Sequence, residues 1–296
     1  MKLALAQYPV SEPSDWLQAA TQIEQWTADA AAQGAELLVF PEYAAMSLAA
    51  VFDDATRNDL IAQVDALQTL RDDYLALHLR LARQLGVHIV AGSFPWRLSD
   101  DVVVNRAWFC TPHGVDFQDK QIMTRFERES WNIDAATTPL KVFRTPLGMV
   151  AINICYDVEF PLLARAQCET GAELIVAPSC TDTLAGYYRV RVGCQARALE
   201  NQCYVAQSPL VGNAPWSAAI DVNTGRAGVF GPPDRGFPDS GVIVEGRLDQ
   251  PAWIYADVDL AAVMKVRNEG QVFNHRHWAD QGDTALPAVE VVSLLP

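Results

Sequence analysis

The sequence predicts an α/β fold in which two mixed β-sheets carry helices on their outer faces. Three observations carry that prediction. Short β-rich runs alternate with helical patterns along most of the chain. One run, "ELLVFPEY" (36–43), is almost wholly apolar, as expected of a strand buried on both faces. Two further stretches read as antiparallel hairpins, for which a purely parallel sheet has no place.

The elements follow in order. "LALAQYPV" is a strand, and Glu12 to Gln33 is an Ala-rich helix with Gly34 at its C-terminal cap. After "ELLVFPEY", residues 56–85 read as one long helix closed by Gly86, and "VHIVAGSF" as the next strand. "VVNRAWFCTPHGVDFQDK" (103–120) is a hairpin turning at His113-Gly114. "LKVFRTPLGMVAINICYD" (140–157) is another, turning at Pro146-Leu147-Gly148. Beyond Cys155 come a helix over 160–170 ended by Gly171, the strand "AELIVAPSC", a helix over 186–201 and a strand over 202–212. "IDVNTGRAGVF" then turns at Asn223-Thr224-Gly225, and "GVIVEGRLDQPAWIYADVDL" is β-rich. Periodicity weakens from about residue 261. With no linker, repeat or low-complexity segment to divide it, 1–296 reads as a single domain.

Composition narrows the function. The 296 residues are half apolar and 20% charged, with a formal charge of −14. That balance argues against a nucleic-acid partner, which needs clustered Lys and Arg. No acidic block accounts for the charge, so it reads as a solvated surface. The apolar start of "MKLALAQYPVSEPSD" is too short for a signal peptide, and no run approaches the roughly 20 apolar residues of a membrane span. A cytoplasmic protein with no membrane partner is expected. The six cysteines (110, 155, 168, 180, 194, 203) show no zinc spacing and should be reduced thiols. His275 and His277 could ligate a metal, but no third ligand accompanies them, and they read as a loop feature.

Active sites of α/β sheets gather at the carboxyl ends of strands. Glu42, Lys120 and Cys155 each hold such a position. Taken singly they read as a cap, a surface lysine and a packed thiol. Together they make an acyl-transfer set. A carboxylate can take the thiol proton, and an ammonium can hold a developing oxyanion. Cys180, in "APSC", is the rival strand-end cysteine; it lacks a following helix start and reads as a small pocket-lining residue. Asp157, Glu159, Cys180 and Asp182 are the candidate substrate-binding residues.

"LLVFPEYA", "DKQIMTRFERE" and "VAINICYDVEFP" resemble the three signature segments of the nitrilase superfamily, the carbon-nitrogen hydrolases. The resemblance covers residues 2 to about 260 and leaves 261–296 as a C-terminal extension. It implies a four-layer αββα sandwich, with Glu42 as general base, Lys120 as oxyanion stabiliser and Cys155 as nucleophile. It also implies a second glutamate, placed at Glu127 with Glu129 competing, and an oxyanion hole completed by the Tyr156 N–H. The chemistry needs no metal or organic cofactor. Tyr156-Asp157 after the cysteine is amidase-like, where nitrile hydrolysers carry Trp-Glu. Glu159 and Leu162 depart from the Arg and Glu that flank Phe-Pro in many amidases. A small carboxamide is therefore the expected substrate. A nitrile or N-carbamoyl hydrolase, or a non-catalytic binding protein keeping the fold, is the alternative. A homodimer or higher homo-oligomer is expected through helix 186–201, with Tyr187, Tyr188, Val190 and Val192 as its apolar face.

Overall fold

A computed structural model describes residues 1–282, 290 and 292. Its first half comprises β1 (Lys2–Pro9), α1 (Trp16–Ala32), β2 (Leu37–Phe40), the short helices α2 (Asp54–Arg57) and α3 (Leu60–Leu67), α4 (Arg71–Leu85), β3 (His88–Ser99), β4 (Val102–Thr111) and β5 (Gly114–Asp119). Then come α5 (Arg125–Glu129), β6 (Val142–Thr145), β7 (Gly148–Ile152), α6 (Pro161–Glu169), β8 (Leu174–Ser179), α7 (Leu184–Asn201) and β9 (Tyr204–Asn213). Three short strands, β10 (Val222–Asn223), β11 (Gly228–Phe230) and β12 (Val242–Glu245), lead to β13 (Ala252–Asp257) and α8 (Leu260–Glu269).

One sheet runs β5-β4-β3-β2-β1-β13, parallel through β1, β2 and β3 and antiparallel elsewhere. The other runs β6-β7-β8-β9-β11-β12, parallel through β7, β8 and β9. Alternation along β1 explains how they stack. Ala4, Ala6 and Tyr8 pack with Ala19 and Ile23 of α1 and Leu77 and Leu81 of α4. Leu3 and Leu5 point the other way, into a core shared with Ile152, Val176 and Val205 of the second sheet and with Val190 and Cys194 of α7. The layers are thus helix, sheet, sheet, helix, the αββα arrangement that the motifs imply. The sheets are not separate, however. The last residues of β1 pair with β9 at Tyr8↔Leu210 and Pro9↔Val211, so the ladder curls from one sheet into the other.

Three local differences from the sequence reading have identifiable causes. The first helix begins at Trp16, not Glu12, because Asp15 caps it by accepting Gln18 N–H at 2.8 Å. The helix expected over 56–85 is broken. Asp53 and Asp59 each start a new N-terminus, and the chain tightens to a 3-10 turn over Gln68–Leu70, where the Gln68 side chain donates to Pro95 O and accepts Arg97 N–H on β3. The stretch through Asn223-Thr224-Gly225 joins β10 and β11, which both pair with β9 rather than with each other. The boundary drawn near 261 falls inside α8, whose Val263 and Val266 are buried and whose Arg267 donates to the carbonyls of Ala172, Asn201 and Gln202. The helix is short and offers few core positions, which is why its period is weak. Most of the remaining extension (283–289, 291 and 293–296) lies outside the described residues.

Helix α7 splits the apolar set expected on its face. Tyr187 and Val190 are buried against the sheet, whereas Tyr188 and Val192 are exposed, as is Leu162 of neighbouring α6. Among the described residues no helix is long and apolar enough to cross a membrane.

Candidate active site

Three strand ends deliver the three polar residues. Glu42 lies just past β2, Lys120 directly after β5, and Cys155 shortly after β7. The Glu42 loop is fitted tightly against β3. Gly92 has φ +72, and a Cβ there would meet Pro41 O at 2.3 Å, so only glycine admits this approach. Next to Glu42, Tyr43 takes a left-handed conformation (φ 55) and is anchored by donating its N–H to Ser93 Oγ at 2.9 Å. Cys155 is also left-handed, at φ 48, where the chain leaves β7 for a tight 3-10 turn over Cys155–Glu159. Strain of this kind in a β-carbon-bearing residue costs about 1–3 kcal/mol, and it aims the thiol out of the strand direction.

The side chains converge. Lys120 Nζ donates to Glu42 Oε1 at 2.8 Å and to Glu127 Oε1 and Oε2 at 2.9 and 2.7 Å. Glu127 also accepts Tyr43 OH at 2.6 Å and both the N–H and hydroxyl of Thr124, at 2.9 and 2.8 Å, in a capping box of α5. Asn105 of β4 donates to Glu42 Oε1 at 2.9 Å and to Glu127 Oε1 at 3.2 Å. Cys180 contributes backbone: its N–H reaches Glu42 Oε2 at 3.0 Å, and its carbonyl lies 3.8 Å from Cys155 Sγ. The Cys155 thiol lies in the same buried cluster as Glu42, near enough for the carboxylate to raise its proton affinity. All of this is buried, with Glu42, Lys120, Glu127 and Cys155 at most 4% exposed.

Burial sets the proton affinities. It pushes Glu42 above the usual carboxylate range, more than the Lys120 ammonium lowers it. Burial opposes the charge on Glu127 too, but Lys120 and the donors from Tyr43 and Thr124 hold that carboxyl below its ordinary value. Lys120 stays protonated, because Glu127 and Glu42 outweigh the burial of its ammonium. The Cys155 thiol is pushed well up, first by burial and then by Glu42, so it rests as a thiol beside a carboxyl group. The two glutamates therefore differ: Lys120 and its neighbours hold Glu127 low, whereas burial raises the proton affinity of Glu42.

The pair Glu127 and Glu129 is separated by the structure. Glu127 enters the cluster, whereas Glu129 lies at the surface, paired with Arg125 at 2.7 Å. Glu127→Gln is expected to lower kcat by at least about tenfold, since it removes the ammonium's charge partner. Glu129→Gln should leave kcat within about twofold, because an exposed pair contributes little. Steady-state kinetics of the two variants check this, and a damaging Glu129→Gln beside a silent Glu127→Gln would reverse the placement.

A cavity of about 380 Å³ opens over the cluster. Glu42, Lys120, Glu127, Cys155 and Tyr156 line it, together with Cys180, Glu159 and Asp182. Asp157, expected beside them, does not. Its carboxylate turns inward and accepts the N–H groups of Gln121, Ile122 and Ile154, tying the Lys120 loop to the turn that carries Cys155. Burial pushes its carboxyl up to about 7, against the pull of Lys120 and those three donors. Glu159 is partly covered and lies 3.7 Å from Arg189. The Tyr156 N–H is among the first donors of the 3-10 turn, which have no partner within it. Cys194 and Cys203 are buried away from the cavity, as expected of packing thiols.

Sequence reasoning missed Tyr43, Asn105 and Thr124, and the cavity residues Trp131, Asp221 and Asn223. Tyr43 adjoins Glu42 in the quoted motif, and Thr124 with Glu127 spells a capping box, so both had local signals. Asn105 had only its place in the hairpin that ends at Lys120, where its carbonyl accepts Lys120 N–H at 2.9 Å.

Comparison with known proteins adds an independent finding. The family model for carbon-nitrogen hydrolases matches residues 2–268. The chain is 33% identical over 273 residues to the probable hydrolase YhcX of Bacillus subtilis, covering 92% of this chain and 52% of that protein. It thus spans about half the length of that relative. It is 27% identical over 263 residues to the deaminated glutathione amidase of Mus musculus, covering 84% of this chain and 75% of that one. Among solved structures, a carbon-nitrogen hydrolase from Helicobacter pylori superposes with a TM-score of 0.75 at 15% identity, covering 90% of this chain and 91% of the other. Nit3 of Saccharomyces cerevisiae, a nitrilase-superfamily member, superposes with a TM-score of 0.68 at 21% identity, covering 90% and 93%. With the four-layer fold, the three motifs on their strand ends and a family match over nearly the whole chain, this protein belongs to the carbon-nitrogen hydrolase family.

Proposed function

We propose that the protein hydrolyses the carbon-nitrogen bond of a small carboxamide through a thioester on Cys155. The observation that carries this reading is the single cluster at the cavity floor. A thiol shares the cavity with a carboxyl group whose proton affinity is raised, and an ammonium lies 2.8 Å from that carboxyl group. A thiol held neutral by burial needs a base at the moment of attack, and Glu42 is placed to be it.

The chemistry then runs in two halves. Cys155 Sγ bonds to the amide carbonyl carbon as its proton passes to Glu42. The oxyanion forms against Lys120 and the Tyr156 N–H. The carbon-nitrogen bond breaks as Glu42 returns the proton to the departing nitrogen, leaving a thioester and free ammonia or amine. Water then attacks the thioester while Glu42 takes its proton. Collapse of the second tetrahedral species releases the carboxylic acid and restores the thiol. Tyr43, Thr124 and Glu127 touch no reacting atom; they hold the lysine.

The cavity lining supports a substrate without a second carboxylate. Glu159, Asp182 and Asp221 stand against Arg125 and Arg189, and Glu159 already neighbours Arg189. Neutral or cationic carboxamides should therefore outperform dicarboxylic monoamides, with nitriles turned over slowly or not at all. Competition assays across the three classes, with mass spectrometry of the acylated cysteine, test this. Preference for a dicarboxylic monoamide would assign the arginines to substrate recognition. Nitrile turnover exceeding amide turnover would make the protein a nitrilase. Absence of any acyl adduct would favour a non-catalytic binding role.

A homodimer through α6 and α7 is part of the same reading, supported by the exposed Leu162, Tyr188 and Val192. Light scattering at micromolar concentration should give twice the chain mass or a multiple of it. Tyr188→Glu with Val192→Glu should shift the population toward monomer, and a monomeric parent protein would refute the assembly.

A further inference from the structure

Carboxylate oxygens have two lone pairs each, so a glutamate offers about four acceptor positions. Glu127 is full. Its Oε1 accepts Lys120, Tyr43 and Asn105, and its Oε2 accepts Lys120 and two groups of Thr124. Glu42 is not. Its Oε1 takes Lys120 and Asn105, but its Oε2 takes only Cys180 N–H, which leaves one position for an incoming proton. Asn105 is thus the second donor on Glu42 Oε1 and the only side chain besides Lys120 that bonds both glutamates among the described residues.

The orientation of that amide follows from its surroundings. Two carboxylates can only accept, so Nδ2 must face them, and a flipped amide would set its oxygen against both. The remaining Oδ1 is buried without a partner among the described residues. A buried carbonyl left unsatisfied disfavours the fold. Its retention is understandable if the donors on the other side matter.

We infer that Asn105 is a positioning residue that closes Oε1 of Glu42, so that the base takes up and returns its proton through Oε2. This rests on the reading of Glu42 as the base and adds the atom through which it works. Without Asn105, Oε1 has a vacant position on the side held by Lys120, and a proton resting there is of no use to the thiol. The groups facing Glu42 are Lys120, Glu127 and the thiols of Cys155 and Cys180; Tyr43 and, through Lys120, Asp157 lie next. Substituting Asn105 leaves these side chains in place; among them only Glu127 also loses a donor, and Lys120, Tyr43 and Thr124 still hold it.

The experiment is the pH profile of kcat/KM for Asn105→Leu and Asn105→Ser, with iodoacetamide alkylation of Cys155 as a readout that needs no turnover. Leucine keeps the volume and removes both donors; serine is small enough to be accommodated and too short to reach both glutamates. The acidic limb of both profiles should move up by about one unit, as Glu42 holds its proton more readily. At neutral pH kcat should fall at least about tenfold with KM within about twofold, and alkylation should slow in parallel. Thermal melting should place the two folded variants near the parent. An unmoved acidic limb in the folded variants, or a change confined to KM, would overturn the inference. Glu42→Gln separates the two levels. If it abolishes turnover while the Asn105 variants keep the parental limb, only the role of Asn105 falls. If Glu42→Gln remains active, the assignment of the base itself falls.

Discussion

Cys155→Ala should eliminate turnover, by at least about 10³-fold, and leave a folded protein. The thiol lines the cavity beside Glu42 and Lys120. Its removal deletes one buried atom from a site that is already strained at φ 48, so the backbone keeps its path and the melting temperature should move by a few degrees at most. Cys180→Ala provides the contrast. What Cys180 gives the cluster is its N–H to Glu42 and its carbonyl beside Cys155, and alanine keeps both. Its own thiol bonds Asn223 at 3.2 Å and makes no hydrogen bond to the base. Cys180→Ala should therefore retain activity within about tenfold. Kinetics and intact-protein mass spectrometry of the acyl adduct check the pair. Normal turnover in Cys155→Ala, with loss in Cys180→Ala, would exchange the two assignments.

Glu42→Gln and Lys120→Ala should each cost at least about 10²-fold in acylation rate, and the double variant little more than the worse single one. The two groups share a hydrogen bond and act on the same step, so neither proton transfer nor oxyanion binding proceeds alone. Their effects on stability should differ. Glu42→Gln keeps the shape and leaves the Lys120–Glu127 pair intact. Lys120→Ala strands two buried carboxylates, and removing one partner from a buried pair costs about 3–5 kcal/mol. Thermal melts should therefore show a modest change for Glu42→Gln and a large loss for Lys120→Ala. Additive rate effects in the double variant would mean that the two residues act in separate steps.

Strands, and the residues at their ends, can be read directly from the order of amino acids. "LLVFP", "VDFQD" and "MVAI" are β-runs, and a residue that follows such a run stands at the carboxyl edge of the sheet whatever the rest of the chain does. That local logic is enough to single out Glu42, Lys120 and Cys155, and to pair them with three motifs of the family whose model matches residues 2–268. Helix ends set by Gly86 and Gly171 are legible for the same reason, because glycine's conformational freedom is a property of one position.

Which way the side chains turn once the strand ends meet is a property of the assembled fold. Asp157 lies in the motif and reads as a pocket residue, yet three N–H groups from two loops draw it inward. Glu127 and Glu129 differ by two positions, and the face of a one-turn helix puts the first on Lys120 and the second in water. Asn105 is 63 residues from Glu42 and 22 from Glu127, and no local pattern marks a residue whose role is to touch both. The pairing of β1 with β9, which curls one sheet into the next, joins residues about two hundred positions apart. Periodicity and capping act over a few residues and can be followed along the chain. The direction of a buried polar side chain is set by whichever donors the whole fold brings within about 3 Å, and those come from everywhere in the sequence.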